Sequence, residues 1–485
     1  MKILHISAEC YPAAKAGGLG DVVGALPKYL NQAGVETAVI IPKYATKWLN
    51  AQTFSPIIYG TVRLGLYSAQ YSVEECMNKT LGFDLYVVNC PQFFDRSGIY
   101  TEENGNGYRD DVERWLTFQQ AVIHWLLGME TKPKVLHCHD HHTGLVPFML
   151  RFCPEYQSLA TIPTVFTIHN GQYQGMFSWQ MGGLMPFFAA EARGMLEWQG
   201  AINPMASAIK CCWRFTTVSP GYMEELRNNS GGLEWLMDNE REKSIGILNG
   251  IDNQVWNPRT DPMLVERLEN DVETYKKANK NAVCDALNVR NDLPLITFIG
   301  RIVSEKGADL LPEVIGKFLQ QGGAASFAIL GTGDPSVSDS FRRMAEHFPG
   351  QFGVSLQYNE ALSHQLYAGS DFLLMPSRVE PCGLNQMYAL RYGTVPIVRS
   401  TGGLRDTVTD LTHQSGGSGI CFSDFDAEDL SIALIRAMRL YWDEPNHFKA
   451  LRGHIIHIDN SWEKSTNDYL KIYEAIIVSA KKLPL

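Results

Sequence analysis

Several features are missing from this chain, and each absence narrows what it can be. Its ten cysteines form no CxxC pair, which argues against a zinc ribbon or a redox motif. Cys90, Cys138 and Cys284 stand in strand-like or helix-like apolar runs, where reduced cysteine is usual. The adjacent Cys211 and Cys212 read as packed helix. No run of about 18 apolar residues occurs, so no membrane-spanning helix is expected. The opening residues, MKILHISAEC, lack the long apolar region of a signal peptide. These features point to a reducing cytoplasm, or to a plastid-like compartment after processing. Positive charge is also in deficit: a formal net charge of -10 argues against nucleic acid or an anionic membrane as a partner. A local basic pocket stays compatible with that balance, so small anions and neutral molecules are the expected partners. There is no tandem repeat and no low-complexity tract.

What remains is an ordinary globular composition, 45% hydrophobic and 19% charged over 485 residues, too long for one core. Apolar runs at Lys2 to Ser7, Glu36 to Pro42, Asp84 to Asn89, Val135 to Cys138, Thr164 to Ile168 and Phe215 to Val218 alternate with helical stretches such as Val112 to Leu127. The alternation predicts an open, mostly parallel sheet with helices on both faces. Turn signals at Asn249-Gly250 and Asn257-Pro258 mark a domain boundary. A second α/β series follows, with strands predicted at Leu295 to Ile299, Ser326 to Leu330, Val354 to Gln357, Phe372 to Met375, Val395 to Val398 and Ile420 to Phe422. It reads as a second doubly wound domain, whose ligands would bind beyond the strands' C-terminal ends. From Trp462 to Ile477 the apolar spacing gives a one-faced terminal helix.

Chemistry-bearing residues cluster at those strand ends. In SRVEPCGLNQMYAL, Glu380 precedes a glycine turn and a helix start, where backbone N–H groups favour an anion. A carboxylate there repels an anion unless it binds a sugar hydroxyl or takes part in the reaction; the plain alternative is a helix-capping acid. Lys15 enters the Gly17-Gly18 turn and would meet a phosphate or stand solvated in a loop. Gly17, Gly18 and Gly20 do not fit the GxGxxG dinucleotide fingerprint. In GRIVSEKG, Arg301 and Lys306 lie at one strand end opposite the glycine turns Gly331-Thr332-Gly333 and Gly402-Gly403, a plausible diphosphate cradle. HCHDHHTG suggests a metal at a glance, but no HExxH or Cys/His spacing closes a tetrahedral site. Imidazole, carboxylate and amide together suit sugar hydroxyls better. His169, in TIHNGQY, is either a satisfied half-buried histidine or part of that pocket.

Seven segments in order, KAGGLGDVVGALP, HCHDHHTGL, TIHNGQY, GILNGID, GRIVSEKG, SRVEPCGLNQMYALRYG and STGGLRDTV, resemble the bacterial glycogen synthase and plant starch synthase family, retaining glucosyltransferases of GT-B fold. The resemblance spans essentially the whole chain. It implies two facing Rossmann-like domains: residues 1–247 on the acceptor side and 248–455 on the nucleotide-sugar side. A helix within 456–485 would pack back on the first domain. It implies transfer of glucose from ADP-glucose to the non-reducing end of an α-1,4-glucan with retention, and no cofactor or metal. Lys15, Gly17 and Gly18 would meet the donor's phosphates and sugar, with Asp21 nearby. Arg301 and Lys306 would hold the diphosphate, and Tyr358 would pack against the base. Glu380 and the turn through Cys382, Gly383 and Leu384 would hold glucose and the distal phosphate. Asp140, His169, Asn170 and Asn249 would line the sugar pocket. Catalysis would rest on Glu380, His169, Arg301, Lys306 and Lys15. Two departures stand out: His141 occupies the place of a tryptophan in the HDWH pattern, and Asn385 follows CGL where threonine is frequent. A GT-B epimerase or a non-catalytic glucan-binding protein would share the architecture; a phosphorylase is disfavoured because no pyridoxal-phosphate motif surrounds a C-terminal lysine.

Overall fold

Runs of valine, isoleucine and leucine bounded by glycine and polar turns form the buried parallel strands on which both halves of the chain are built. The computed structural model describes residues 1–482 except 103–104, 358 and 414–415. The chain divides into two units. One comprises Met1–Val218, Met223–Ile247 and Trp462–Leu485; the other comprises Ser219–Tyr222 and Leu248–Ser461.

The first unit holds β1 (Lys2–Ile6), β2 (Glu36–Pro42), β3 (Phe54–Leu64), β4 (Tyr67–Cys76), β5 (Asp84–Asn89), β6 (Val135–His139) and β7 (Thr164–Ile168). It also holds a small hairpin, β8 (Glu197–Trp198) and β9 (Ala201–Ile202), then β10 (Arg214–Thr217) and β11 (Ser244–Gly246). The main sheet runs β11-β10-β7-β6-β1-β2-β5-β4-β3 and is parallel except at the β5-β4-β3 edge. Sequence patterning passes over β3 and β4 because an edge hairpin needs no continuous apolar run. Tyr59, Thr61 and Arg63 face outward along β3, the exposed edge strand tolerates Pro56, and Gly60 makes room for the Tyr71 ring, whose hydroxyl would stand 2.4 Å from a Cβ there. The strand expected at Phe215 to Val218 begins one residue earlier, where Arg214 pairs with Val165.

The helix Trp462–Ala480 buries Trp462, Tyr469, Ile472, Tyr473 and Ile476 against Leu26, Tyr29 and Leu30 of the helix Gly18–Gln32 and against Ile3, Val135 and Val165 of the sheet. Each such side chain contributes roughly 1.5–3 kcal/mol of transfer free energy. The register sets His5 opposite His137, and His139 opposite Thr167. Since alternate residues share a face, the apolar row Ile3, Val135 and Val165 continues toward the strand ends as a polar row of His5, His137, His139 and Thr167.

In the second unit β12 (Leu295–Ile299), β13 (Ser326–Leu330), β14 (Phe352–Ser355), β15 (Phe372–Met375), β16 (Val395–Arg399) and β17 (Ile420–Phe422) form one parallel sheet in the order β14-β13-β12-β15-β16-β17. The strand β14 starts at Phe352 rather than Val354, because Phe352 pairs with Phe327 and is buried. Strand order reverses between β12 and β15, the point at which open α/β sheets bind ligands. Buried Asp371, leading into β15, accepts from Lys280 Nζ at 2.7 Å, from the Leu295 N–H at 2.8 Å and from the Arg452 guanidinium. That carboxylate ties the helices Val272–Leu287 and Pro445–Ile455 to the sheet centre. No helix among the described residues is long and apolar enough to cross a membrane.

Candidate functional site

At the switch point of the second unit, the chain leaving β15 brings Glu380 back toward the loop leaving β12. Glu380 is 4% exposed. Its Oε1 accepts from Lys306 Nζ at 2.6 Å and its Oε2 from Ser377 Oγ at 2.9 Å. Glu380 is therefore no helix cap: the N-cap of Asn385–Arg391 is Leu384, without a side-chain cap bond. Arg301 is exposed and donates to Glu305 at 3.0 Å. Gly383 adopts φ +72, and a Cβ there would stand 2.4 Å from Gln386 Oε1. Gly403 donates its N–H to the Glu380 carbonyl at 3.0 Å, and a Cβ on it would stand 2.1 Å from the Cys382 carbonyl. The Gly402-Gly403 turn thus packs directly on the Glu380 loop. The Gly331-Gly333 turn packs likewise on the loop leaving β12, through the bond from the Ile302 N–H to the Thr332 carbonyl at 2.8 Å.

Asn385 donates Nδ2–H to the Ile299 carbonyl at 2.7 Å, so the amide that departs from the threonine pattern locks the helix start to the end of β12. Cys382 accepts from the Asn249 N–H, and burial pushes its thiol up to about 12, which keeps it protonated and packed. Asn249 itself is buried, with Oδ1 unpaired among the described residues. Tyr358 lies outside the described residues.

In the first unit the Gly17-Gly18 loop is organised by a residue that sequence reading missed. Glu9, just beyond β1, accepts from the N–H groups of Ala16 (2.5 Å) and Gly17 (2.9 Å) through Oε2 and from Tyr100 OH (2.5 Å) through Oε1. Burial raises its carboxyl above the ordinary value even against those three hydrogen bonds. The signal was a carboxylate at a parallel strand's C-terminal end, the criterion that selected Glu380. Lys15 pairs with Asp21 at 2.6 Å in a half-exposed ion pair; such pairs contribute about 0–1 kcal/mol and exchange easily for another anion.

Asp140 sits at φ 56, ψ 176, a region almost confined to glycine and costing about 1–3 kcal/mol. Its carboxylate accepts from the His169 N–H at 2.7 Å and from the Asn170 N–H, which holds the loop after β7 in place. Burial pushes its carboxyl up to about 7 despite those bonds. Around it the imidazoles are neutral: burial takes His5 and His169 down to about 3 and His141 to about 4, and holds His137 and His139 well below the usual value.

His5, His137 and His139 have potential ligand nitrogens within 4.8 Å of one another. Both nitrogens of His137 are spent, on Tyr473 OH at 2.7 Å and Thr167 Oγ1 at 2.6 Å. Both nitrogens of His139 are spent as well, on His5 and His169 at 3.0 Å each. A cation there would have to break those bonds, so the cluster is a hydrogen-bonded stack rather than a ligand set.

A protein of Flavobacterium johnsoniae described as a glycogen synthase is 44% identical over 480 residues, covering 98% of this chain and 99% of its own length. The chain belongs to the glycogen synthase family. A glycogen synthase of Geobacillus stearothermophilus is 37% identical over 492 residues, covering 98% of both chains. Residues 2–239 match the starch synthase catalytic domain family and residues 279–450 the glycosyl transferases group 1 family. The solved catalytic domain of starch synthase IV from Arabidopsis thaliana, described as bound to ADP and acarbose, superposes with a TM-score of 0.88 at 31% identity, covering 98% of this chain and 99% of that one. The protein is thus a glycosyltransferase with the GT-B architecture of two Rossmann-like sheets.

Within this glycogen synthase family member, the structure gathers Glu380, Lys306, Cys382, Gly383, Leu384 and Asn249 about one loop of the second unit. It gathers Asp140, His169 and Asn170 about the ends of β6 and β7 in the first. Lys15, Gly17, Gly18 and Asp21 form a separate group around Glu9, while Arg301 stands out toward solvent.

Proposed function

We propose that the protein elongates α-1,4-glucans, taking glucose from ADP-glucose and keeping the α configuration. The observation that carries this reading is the buried Glu380 carboxylate between Lys306 and Ser377 at the sheet's switch point. A fixed negative group there suits developing positive charge on a sugar ring, and the neighbouring cations suit a leaving diphosphate. The ADP and acarbose named for the starch synthase IV structure support the same donor and a glucan-like acceptor.

In this reading Arg301 and Lys306 hold the diphosphate, and Tyr358 packs on the base. Lys15, Gly17 and Gly18 are assigned to phosphate and sugar, with Asp21 setting Lys15. Glu380 and the turn Cys382-Gly383-Leu384 take glucose and the distal phosphate. Asp140, Asn170 and Asn249 line the sugar pocket, with the unpaired Asn249 Oδ1 suited to accept from a hydroxyl. His169 takes the glucose 6-hydroxyl or a neighbouring carbonyl. The bond from the anomeric carbon to the β-phosphate oxygen breaks, and the acceptor's 4-oxygen bonds to that carbon on the same face. The 4-hydroxyl proton passes to the departing phosphate. No covalent bond forms between Glu380 and the sugar, and the carboxylate acts through its charge. The first unit carries the acceptor and the second the nucleotide sugar. A cytoplasmic location fits ten free thiols, nine of them buried.

Initial rates with ADP-glucose and UDP-glucose on glycogen test the proposal. Faster chain extension from ADP-glucose is expected. Donor cleavage without chain growth, or preference for UDP-glucose, would overturn it.

A further inference from the structure

Three imidazoles run in a line from the interior of the first unit to His169. His5 Nδ1 lies 3.0 Å from His139 Nε2, and His139 Nδ1 lies 3.0 Å from His169 Nε2. His137 is no branch of this line, because Tyr473 and Thr167 take both its nitrogens. Burial keeps the three rings neutral, so each carries one ring proton.

A contact between two ring nitrogens needs one proton between them. With one proton per ring the line has two arrangements only, every ring donating outward or every ring donating inward. The inner end decides between them. His5 Nε2 is buried and has no hydrogen-bond partner among the described residues. Inward donation would leave an N–H at that position, whereas outward donation leaves a lone pair there. A buried N–H without an acceptor is the rarer and costlier defect. Outward donation follows, with the proton on Nδ1 of His5, of His139 and of His169.

We propose that His139, backed by His5, is a positioning residue that fixes His169 as its Nδ1–H tautomer, so that His169 meets the donor sugar as a hydrogen-bond donor. The second half of that statement rests on the reading of His169 as a sugar contact. For His169 to accept a proton at Nδ1 while neutral, the whole line would have to reverse and strand an N–H at His5. The ring is thereby held to donating to an oxygen, such as a hydroxyl or carbonyl of the glucosyl group, and is withheld from general-base work.

The test uses the full-length, ligand-free enzyme labelled with [15N]histidine. Long-range proton–nitrogen correlation distinguishes protonated from unprotonated ring nitrogens, with signals assigned through His169→Gln and His139→Gln. The expected pattern is a protonated Nδ1 and unprotonated Nε2 on both His139 and His169, with nitrogen–nitrogen coupling across the bond joining them. A proton on His169 Nε2, or a doubly protonated ring, overturns the proposal.

A kinetic arm separates positioning from mere packing. His139→Asn keeps an amide near the Nδ1 position that faces His169; His139→Gln carries its amide to the Nε2 position and leaves His169 unpartnered. The glutamine variant should lose about tenfold in kcat with the donor KM within about twofold, and the asparagine variant should recover most of that loss. Equal kcat in the two variants overturns the positioning role. The spectroscopic arm needs no substrate, so an error in the assigned donor would show as an inactive wild-type enzyme with the tautomer result intact.

Discussion

At the strand ends of the second unit the polar groups are ions in pairs: Lys306 with Glu380, Arg301 with Glu305. At the corresponding ends of the first unit the buried groups are imidazoles held neutral, with carboxyl groups at Glu9 and Asp140 whose affinity for protons burial has raised. The physical difference is one of what each surface can meet. Exposed Arg301 can trade Glu305 for a phosphate at small cost, while Lys306, which reaches solvent beside the buried Glu380, has ammonium donors left to meet a phosphate without giving that carboxylate up. Neutral donors and acceptors suit hydroxyls, which both donate and accept.

Breaking the charged side should have the largest effect. Glu380→Gln keeps shape and removes charge, and kcat should fall by about 10² to 10³, the scale of one preorganised electrostatic group. Donor affinity should change far less, and mass spectrometry of the wild-type enzyme during turnover should find no glucosyl adduct on Glu380. A trapped adduct, or a nearly fully active glutamine variant, would remove the electrostatic role. Next come Arg301→Ala and Lys306→Ala, each expected to lose about 1.5–3 kcal/mol of transition-state stabilisation, roughly 10- to 150-fold in kcat/KM. Lys306→Ala should also lower stability to urea, since it leaves the buried Glu380 carboxylate without its cation; Arg301→Ala, at an exposed side chain, should not.

The neutral side is sharpened through pH. The Asp140 carboxyl lies near 3.8 when unperturbed and is pushed up to about 7 in the fold, so between those values the folded state binds more protons than the unfolded state. Stability from this group is therefore present at low pH and is lost as pH rises through the folded value. Between about pH 5 and about pH 7 the loss should be roughly 1–2 kcal/mol, within the limit of 1.36 kcal/mol per unit. Urea titrations of wild type and Asp140→Asn check this: the difference between them should move in favour of the variant with rising pH. A pH-independent difference would show that Asp140 does not titrate there. The smallest effect is expected at the inner end of the stack. Tyr473→Phe removes the hydroxyl bound to His137 Nδ1 and should cost about 0.5–1.5 kcal/mol in stability, with kcat within about twofold of wild type.

Much of this was legible in the sequence, for reasons that differ from residue to residue. The buried parallel strands announce themselves by unbroken apolar runs, but the sheet order that sets the switch point between β12 and β15 is not written in their order along the chain. Glu380, Lys306 and Arg301 stand within a few residues of those ends. The hairpin Phe54–Cys76 was not legible, because a half-exposed edge carries only a weak alternating pattern. Nor was the histidine line: it depends on register among β1, β6 and β7, segments separated by more than a hundred residues in part. Glu9 lay in plain view beyond β1, but only the folded loop reveals that its carboxylate fills the N–H groups of the glycine turn. Asn385, standing where threonine is frequent, proved to be an amide bonded to the end of β12.

Calorimetric titration of ADP into wild type, Lys306→Ala and His169→Gln, at low and moderate salt, asks directly whether the paired ions of the second unit carry the diphosphate. Binding should weaken about tenfold or more in Lys306→Ala, weaken with salt in wild type, and stay within about twofold in His169→Gln. Equal weakening in both variants, or undiminished ADP binding by Lys306→Ala, would mean that the division between a charged and a neutral surface does not describe how this protein holds its donor.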